Sequence, residues 1–311
     1  MIVGAGAFVL CARAGLLTPS EAELRARYGL PGSKFMDVDG EPIHYVDEGQ
    51  GDAVVLVHGS FGSLRMWDGW ARTLAPRYRV IRFDRPPMGL SGPDPNGDYD
   101  PEREVRIIGA LTEKLGIAHF FLVATSSAGF SGAAYAAAHP EQIRGLILSN
   151  IAVGPLTLDR DHLPFVLKLV RAIDPLFKGW HPRELWRQVL RNNFADPSRV
   201  TPDLVREWTD LNNRAQRMPR APGARNPGSL FARTPEDLRH ITAPTLLLWS
   251  ENDPEVPVDP VGKRGLGLLA AADKHLEIVP HCGHMMPIEC SEPSVALAEA
   301  FLDRIESGAH P

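Results

Sequence analysis

Apolar and polar positions follow a regular alternation over most of the chain. Short, continuous apolar runs at 53–57, 119–125 and 244–249 are typical of strands that are buried on both faces. Between these runs lie segments with helical spacing, among them 103–116, which ends with Gly116 in a C-cap position. Strands that alternate with helices over short joins predict the α/β class, with a doubly wound and mostly parallel sheet.

This alternation stops after Pro155. Residues 156–239 contain several helical stretches and no convincing strand, which indicates one α/β domain that carries a helical insertion. We therefore predict an N-terminal apolar and helical extension, a core in two parts and a helical cap, or lid, with the bounds 1–33, 34–155 together with 240–311, and 156–239. The arginines from Arg214 to Arg225 either favour an acidic substrate or, as we expect, form a solvated stretch.

The first residues, up to Arg13, are apolar. This segment is shorter than the roughly 20 residues that a membrane-spanning helix needs, and no basic residue precedes it as in a signal peptide. Two interpretations stay open: a packed or peripheral segment of a soluble protein, and the remnant of a longer anchor or export signal. We expect a cytoplasmic protein, with membrane association or export through this segment as the alternative.

Composition and charge restrict the class of partner. The chain has 311 residues, of which 44% are hydrophobic and 23% are charged, and this is the composition of a globular protein. The net charge of −5 provides no basic field that would attract nucleic acid. We therefore predict a small-molecule substrate and no nucleic-acid partner, and the oligomeric state is left open.

The chain contains three cysteines, Cys11, Cys282 and Cys290. An odd number at wide spacing predicts no disulfide framework and indicates a reduced, intracellular setting. The last two lie close to His281 and His284, but the spacing of these four residues fits no familiar zinc site. We predict no metal and no other cofactor.

Polar residues follow four of the predicted strands, at the point where each strand ends. In chain order they are Ser60 after His58-Gly59, the pair Ser126 and Ser127, the acids Glu251 and Asp253, and the histidines His281 and His284. Ligands of an open α/β sheet bind at the carboxyl ends of its strands. A serine hydroxyl needs a base to take its proton, a neutral histidine is such a base near pH 7, and a buried carboxylate orients that histidine. The order serine, acid, histidine therefore predicts a site for nucleophilic catalysis.

The chain from about residue 34 to 305 resembles the α/β-hydrolase superfamily, in its capped, esterase- or lipase-like serine hydrolase branch. The resemblance rests on five stretches: the His-Gly turn after a strand, DRPPMGLS at 84–91, ATSSA at 124–128, WSENDPEVP at 249–257 and GHMMPIE at 283–289. The family's elbow is usually written G-x-S-x-G, and here both glycines are replaced by alanine. Since alanine is the next smallest residue, the strained turn remains accessible.

The resemblance implies a role for each strand-end residue. Ser126 is the expected nucleophile rather than Ser127, because Ala124 and Ala128 flank it and the following helix ends at the family's usual distance, near Pro140. Asp253 is the expected acid, with Glu251 and Asn150 as rivals. His284 is the expected base because it follows a glycine, with His281 as its rival. The resemblance further implies an oxyanion hole made by the backbone amides of Ser60, Phe61 and Ser127.

The expected reaction is acyl transfer to Ser126 followed by hydrolysis, on a carboxylic ester of a small or medium apolar substrate. Relatives with the same triad cleave lactones or the carbon–carbon bonds of dienoic acids. We rank the carbon–carbon reaction lower, because HGSFGS at 58–63 lacks a longer glycine-rich stretch. Dehalogenases and epoxide hydrolases use a carboxylate nucleophile, so a serine at 126 argues against both. A relative that binds a ligand without turning it over is the alternative from another class.

Overall fold

The computed structural model describes residues 2–155, 176–221 and 231–308. In this part of the chain the centre is an eight-stranded sheet with the order β1-β2-β4-β3-β5-β6-β7-β8. Strands β1 and β2 are antiparallel to their neighbours, and β3 to β8 run parallel. The predicted doubly wound, mostly parallel sheet is confirmed. The strands are β1 Ser33–Val38, β2 Glu41–Glu48, β3 Ala53–Val57, β4 Arg79–Phe83, β5 Phe120–Thr125, β6 Ile143–Ser149, β7 Thr245–Ser250 and β8 Lys274–Val279.

Helices connect the strands and cover both faces of the sheet. Capping residues in the sequence determine where several helices begin. The side chains of Asp100 and Thr201 cap the N-termini of α4 and α7, and each is followed by a proline at the first helical position. The described helices are α1 Ile2–Ala14, α2 Glu21–Tyr28, α3 Asp68–Leu74, α4 Pro101–Lys114, α5 Ala128–Ala138, α6 Arg183–Asn193, α7 Pro202–Gln216, α8 Thr234–His240, α9 Lys263–Leu268, α10 Met286–Glu289 and α11 Ser291–Glu306.

The core lies on both sides of the sheet. Alternate side chains of β3 enter opposite layers, with Val55 and Val57 on the side of α4 and α5, and Val54 and Leu56 on the side of α3 and α11. Every residue of β3, β5 and β7 is buried. Burial on both faces explains why these strands are continuous apolar runs in the sequence.

Two helices of the predicted insertion, α6 and α7, pack against each other and against residues beside the sheet. Trp186 of α6 and Trp208 of α7 share an apolar cluster with Met66 and Met285. Helix α8 crosses the predicted boundary at 239/240, and its Leu238 packs in the core. Residues 156–175 and 222–230 of the predicted cap lie outside the described residues, so its bounds stay a prediction.

The N-terminal extension is attached to the C-terminal half of α7 and to the residue that follows it. Arg27 and the hydroxyl of Tyr28 both bind the carboxylate of Asp210 at 2.7 Å, and Arg214 Nε donates to Glu21 at 2.7 Å. Further along, Nη1 of Arg217 donates to the carbonyl oxygen of Ala12. In the described residues no helix is long and apolar enough to cross a membrane.

Arg214 itself corrects the expectation of a solvated arginine stretch. Its side chain is buried, and Nη1 donates to the carbonyl oxygens of Gly89 and Ser91 at 3.0 and 2.9 Å. The guanidinium thus holds the loop after β4 against α7. Arg225 lies outside the described residues.

The cysteine prediction was wrong for one pair. Cys282 and Cys290 form a disulfide, while Cys11 is a free thiol. The chain turns back on itself between β8 and α11, and this reversal brings two cysteines together that the spacing alone did not pair. The bridge closes the loop that carries His284.

We expect a thiol titration of the denatured, unreduced protein to find one reactive cysteine and the reduced protein to find three, because Cys11 alone is free. Mass spectrometry after alkylation locates the labels. A Cys11→Ser variant is the control, and it should lower the number of reactive thiols by one in both the unreduced and the reduced protein. Three reactive thiols without a reductant, in protein purified under air, would contradict the bridge.

Candidate active site

A strained turn carries Ser126 between β5 and α5. Its φ of 55° lies in the left-handed region, which costs energy in a residue other than glycine. The turn is held because the N–H of Ser126 donates to the carbonyl oxygen of Ser149 at 2.8 Å. A Cβ on Gly132 would lie 2.6 Å from Cβ of Ala124, so α5 approaches β5 very closely here. Such packing requires small residues around the serine, and alanine at 124 and 128 satisfies it.

Ser126, His284 and Asp253 form a continuous hydrogen-bonded row across the carboxyl ends of β5, β7 and β8. Nε2 of His284 lies 2.8 Å from Oγ of Ser126, and Nδ1 lies 2.7 Å from Oδ2 of Asp253. The other carboxylate oxygen of Asp253 accepts the N–H groups of Glu255 and Val256 at 2.8 and 2.9 Å. The acid is therefore fixed in orientation, and it fixes the histidine ring in turn.

His284 is buried beside two carboxylates. Burial lowers its pKa, but the hydrogen bond to Asp253 and the negative charges of Glu255 and Asp253 outweigh this, and the pKa is raised above its ordinary value. The carboxylate of Glu255 lies 3.5 Å from Nε2. An imidazolium formed during a reaction is therefore stabilised from both sides of the ring.

The rival residues from the sequence have other partners. Oγ of Ser127 lies 2.8 Å from Oγ of Ser60 and 3.0 Å from Nη1 of Arg85. The carboxylate of Glu251 accepts the N–H of His281, whose side chain is exposed. The amide of Asn150 braces the loop, since Nδ2 donates to the carbonyl oxygen of His284. The structure thus brings together Ser126, Asp253 and His284.

The predicted oxyanion-hole residues lie beside this row. A Cβ on Gly59 would lie 2.8 Å from Cβ of Ser126, so the His-Gly turn abuts the serine and Ser60 follows directly. The N–H of Phe61 donates to Sδ of Met88 at 3.1 Å. Ser127 stands at the N-terminal end of α5, where the helix dipole is positive.

Arg85 is a site residue that sequence reasoning missed. It is buried, its Nη2 pairs with both oxygens of Glu104 at 2.6 and 2.7 Å, and Nη1 also donates to the carbonyl oxygen of His58. The N–H of Arg85 donates to Nε2 of His58, while Nδ1 of that ring binds the oxygen of Gly59. Burial and the Arg85 charge lower the pKa of His58 to about 4, so the ring braces the turn in its neutral form. Arg85 lies in the DRPPMGLS stretch at 84–91, which served as evidence for the family resemblance but not for a site residue.

Glu289 connects the His284 loop to the predicted cap. Its buried carboxylate accepts the N–H groups of Gly283 at 2.8 Å, of Ala195 at 3.0 Å and of Asp196 at 2.8 Å. Ala195 and Asp196 follow α6, and Gly283 precedes His284. One carboxylate therefore links the loop of His284 to the segment that follows α6.

We expect Glu289→Gln to lower the free energy of unfolding by about 1–3 kcal/mol, because an amide NH₂ would face backbone donors that now have an acceptor. Urea denaturation followed by fluorescence measures this loss. Glu277→Gln, at an exposed position of β8, is the control that should leave stability unchanged. Equal midpoints for both variants would show that the three hydrogen bonds carry no net stability.

Among the described residues, Cys282, Cys290 and Glu289 form a cluster whose ligand atoms lie within 4.8 Å of one another. A metal site needs thiolates and free carboxylate lone pairs. Here both sulfurs belong to the disulfide, and the carboxylate accepts three N–H groups. The cluster therefore does not fit a metal.

Apolar side chains adjoin two of the site residues along the chain, since Phe61 follows Ser60 and Met285 follows His284. The ring of Phe61 is 42% exposed and lies 5.4 Å from the ring of Trp186. Met285 packs in the same cluster as Trp186.

Comparisons with known proteins agree with this architecture. Residues 54–300 match the alpha/beta hydrolase family, and the chain belongs to that family. A 2-hydroxy-6-oxononadienedioate/2-hydroxy-6-oxononatrienedioate hydrolase from Cupriavidus pinatubonensis is 30% identical over 270 residues, which cover 81% of this chain and 89% of that protein.

Two solved structures share the fold. A membrane phospholipase A has a TM-score of 0.71 at 24% identity, with 98% of this chain and 96% of that chain covered. A meta-cleavage product hydrolase from Pseudomonas fluorescens has a TM-score of 0.72 at 22% identity, with 87% and 97% covered. The family and its named members identify the chain as a hydrolase.

Proposed function

We propose that the chain is a serine hydrolase in which Ser126 forms an acyl-enzyme. The observation that carries this proposal is the row from Ser126 through His284 to Asp253, with contacts of 2.8 and 2.7 Å. Nε2 of His284 takes the serine proton as Oγ attacks the carbonyl carbon of the substrate. The same nitrogen then gives that proton to the leaving group, and a water molecule repeats both steps on the acyl-enzyme.

The tetrahedral intermediate carries a negative oxygen, which backbone amides stabilise. We assign this role to the N–H groups of Ser60, Phe61 and Ser127. The N–H of Phe61 now donates to the sulfur of Met88, and a thioether is a weak acceptor. An oxyanion replaces that contact at little cost.

The first candidate for the cleaved bond is a carbon–carbon bond beside a ketone in a dienoic acid. Relatives with about 30% identity over most of their length are named hydrolases of 2-hydroxy-6-oxo dienoates. The comparisons support this candidate better than the ester hydrolysis that we expected from the sequence. The reaction uses the same acyl-enzyme on Ser126.

The second candidate is the ester, or lactone, of an apolar substrate. It is favoured by the exposed ring of Phe61, which directly follows the expected oxyanion-hole residue Ser60 and lies 5.4 Å from the ring of Trp186. The two candidates differ in charge. A dienoate carries a carboxylate, whereas a simple ester or lactone is neutral.

A substrate panel on the purified protein tests both candidates. The fraction of active sites is first counted with a fluorophosphonate, which reacts with an activated serine. Turnover of a ring-fission dienoate without ester turnover supports the first candidate, and turnover of medium-chain nitrophenyl esters or lactones alone supports the second. A folded protein that takes no fluorophosphonate label contradicts the serine hydrolase and favours a ligand-binding protein.

A further inference from the structure

Glu255 is an acidic residue at the reacting nitrogen of the base. Its Oε2 lies 3.5 Å from Nε2 of His284, the nitrogen that also contacts Oγ of Ser126. The backbone N–H of Glu255 donates to Oδ1 of Asp253, so the acid that orients the histidine also fixes the backbone of Glu255. The side chain is 45% exposed and faces both the solvent and the site.

The charge of Glu255 has little compensation when the base is neutral. In the part of the chain that the structure describes, His284 is the basic group within ion-pair distance of this carboxylate. Asp253 contacts the opposite nitrogen of the ring and adds a second negative charge. The guanidinium of Arg85 is reached through Ser127 and is itself paired with Glu104.

The position of the Glu255 carboxylate matters at the step in which the leaving group departs from the acyl group. The proton on Nε2 has to reach the atom that leaves, so the leaving group approaches Nε2 and the carboxylate beside it. A negative charge on the leaving group is then repelled by the Glu255 carboxylate, and solvent screens that repulsion only in part, because the carboxylate is 45% exposed and lies 3.5 Å from Nε2. A neutral leaving group meets no such penalty.

We propose that Glu255 is a specificity-determining residue that makes the site prefer uncharged leaving groups over leaving groups that carry a carboxylate near the cleaved bond. The inference rests on the proposed acyl transfer to Ser126. It favours esters and lactones over dienoates among the two candidates.

Two butyrate esters of equal shape test this preference. Their leaving groups are 3-hydroxybenzamide, which is neutral, and 3-hydroxybenzoate, which is anionic. We expect wild-type kcat/KM to be about tenfold higher for the neutral ester, as a partly screened charge repulsion allows. In Glu255→Gln the rate for the anionic ester should rise until the ratio is within about twofold, and added salt should narrow the wild-type ratio.

Glu251→Gln is the matched control. It removes the same charge from the same strand-end loop, but the Glu251 carboxylate contacts His281 rather than His284. The control should keep the wild-type ratio of kcat/KM for the neutral ester to kcat/KM for the anionic ester. The rates are compared above the acid limb of each variant's own pH profile, so that a changed protonation state of His284 does not mimic a changed preference.

A pH profile with the neutral ester adds a second readout. Glu255 is among the groups that raise the pKa of His284, and catalysis needs the neutral ring. Glu255→Gln should therefore shift the acid limb of kcat/KM to lower pH, whereas Glu251→Gln should not. If Glu255 had a role in folding alone, its replacement would change neither the acid limb of kcat/KM nor the ratio of kcat/KM for the two esters.

The same comparison is made with alkyl phosphonates that carry the two leaving groups, because phosphonylation of Ser126 does not depend on the right acyl chain. If wild type and Glu255→Gln show the same ratio of the rate for the neutral leaving group to that for the anionic one, and Ser126 is labelled, the inference is overturned. The proposed function is then left intact. Folded protein without a label at Ser126 overturns the proposed function and, with it, the inference.

Discussion

Replacing Ser126 by alanine is expected to lower kcat by at least about 10⁴-fold, since the acyl-enzyme has no other nucleophile. The substitution removes one hydroxyl and leaves the Ser126 N–H bonded to the oxygen of Ser149. Stability should therefore change little, and the circular dichroism spectrum and melting temperature should match the wild type. Turnover of the best substrate from the panel, together with fluorophosphonate labelling, measures the loss.

Ser131→Ala is the matched control for this substitution. Ser131 lies one turn further along α5, is buried, and donates its hydroxyl hydrogen to the oxygen of Ala128. The control should keep both turnover and the label. Full activity in Ser126→Ala, or a label that moves to the Ser127 position without loss of rate, would exclude Ser126 as the nucleophile.

The second large effect is expected from Asp253→Asn, with a loss in kcat of about 10⁴-fold. The Oδ1 position has to go on accepting from the N–H groups of Glu255 and Val256, so the new NH₂ group faces Nδ1 of His284. Nδ1 then becomes an acceptor, and the proton moves to Nε2. In that tautomer the ring has no lone pair with which to take the proton of Ser126.

A Glu251→Gln variant separates this effect from a general loss of negative charge at the end of β7. We expect it to retain wild-type kcat, because its carboxylate contacts the exposed His281. Asp253→Asn should also lose fluorophosphonate labelling while it remains folded. Rapid labelling of the Asn variant would contradict the assigned acid.

The sheet could be predicted from the sequence because its central strands β3, β5 and β7 are buried on both faces and therefore appear as apolar runs. Residues that end parallel strands meet at one edge of a sheet, so the strand ends supplied a serine pair, an acid pair and a histidine pair as candidates. The resemblance to the α/β-hydrolases then implied Ser126, Asp253 and His284 among them. Ser126 could be told from Ser127 because a strained turn tolerates only small neighbours, and Ala124 and Ala128 supply them.

Contacts between distant segments were not predictable in this way. Arg85 reaches Ser127 across the site, and Arg214 binds carbonyl oxygens of a loop far away in sequence. The partners of a long, flexible side chain depend on the packed backbone around it. Glu255 was visible in the WSENDPEVP stretch, but only the turn after Asp253 directs its carboxylate back to His284.

The disulfide was missed for a related reason. The spacing of Cys282 and Cys290 is compatible with many loop shapes, and α10 between them sets the distance at which their sulfurs meet. The metal-like cluster around Glu289 shows the same dependence. Its residue types suggest a metal site, but the two sulfurs form a disulfide and the carboxylate accepts backbone N–H groups.

The attachment of the N-terminal extension to α7 ties the far end of the chain to the loop of the base. Residues of that extension bind Asp210, Arg214 and Arg217. Trp208 on α7 packs with Met285 in one apolar cluster, and Met285 directly follows His284. A tag, a truncation or a binding partner at residues 2–28 is therefore expected to act on the packing beside His284, although these residues lie far from the base in sequence.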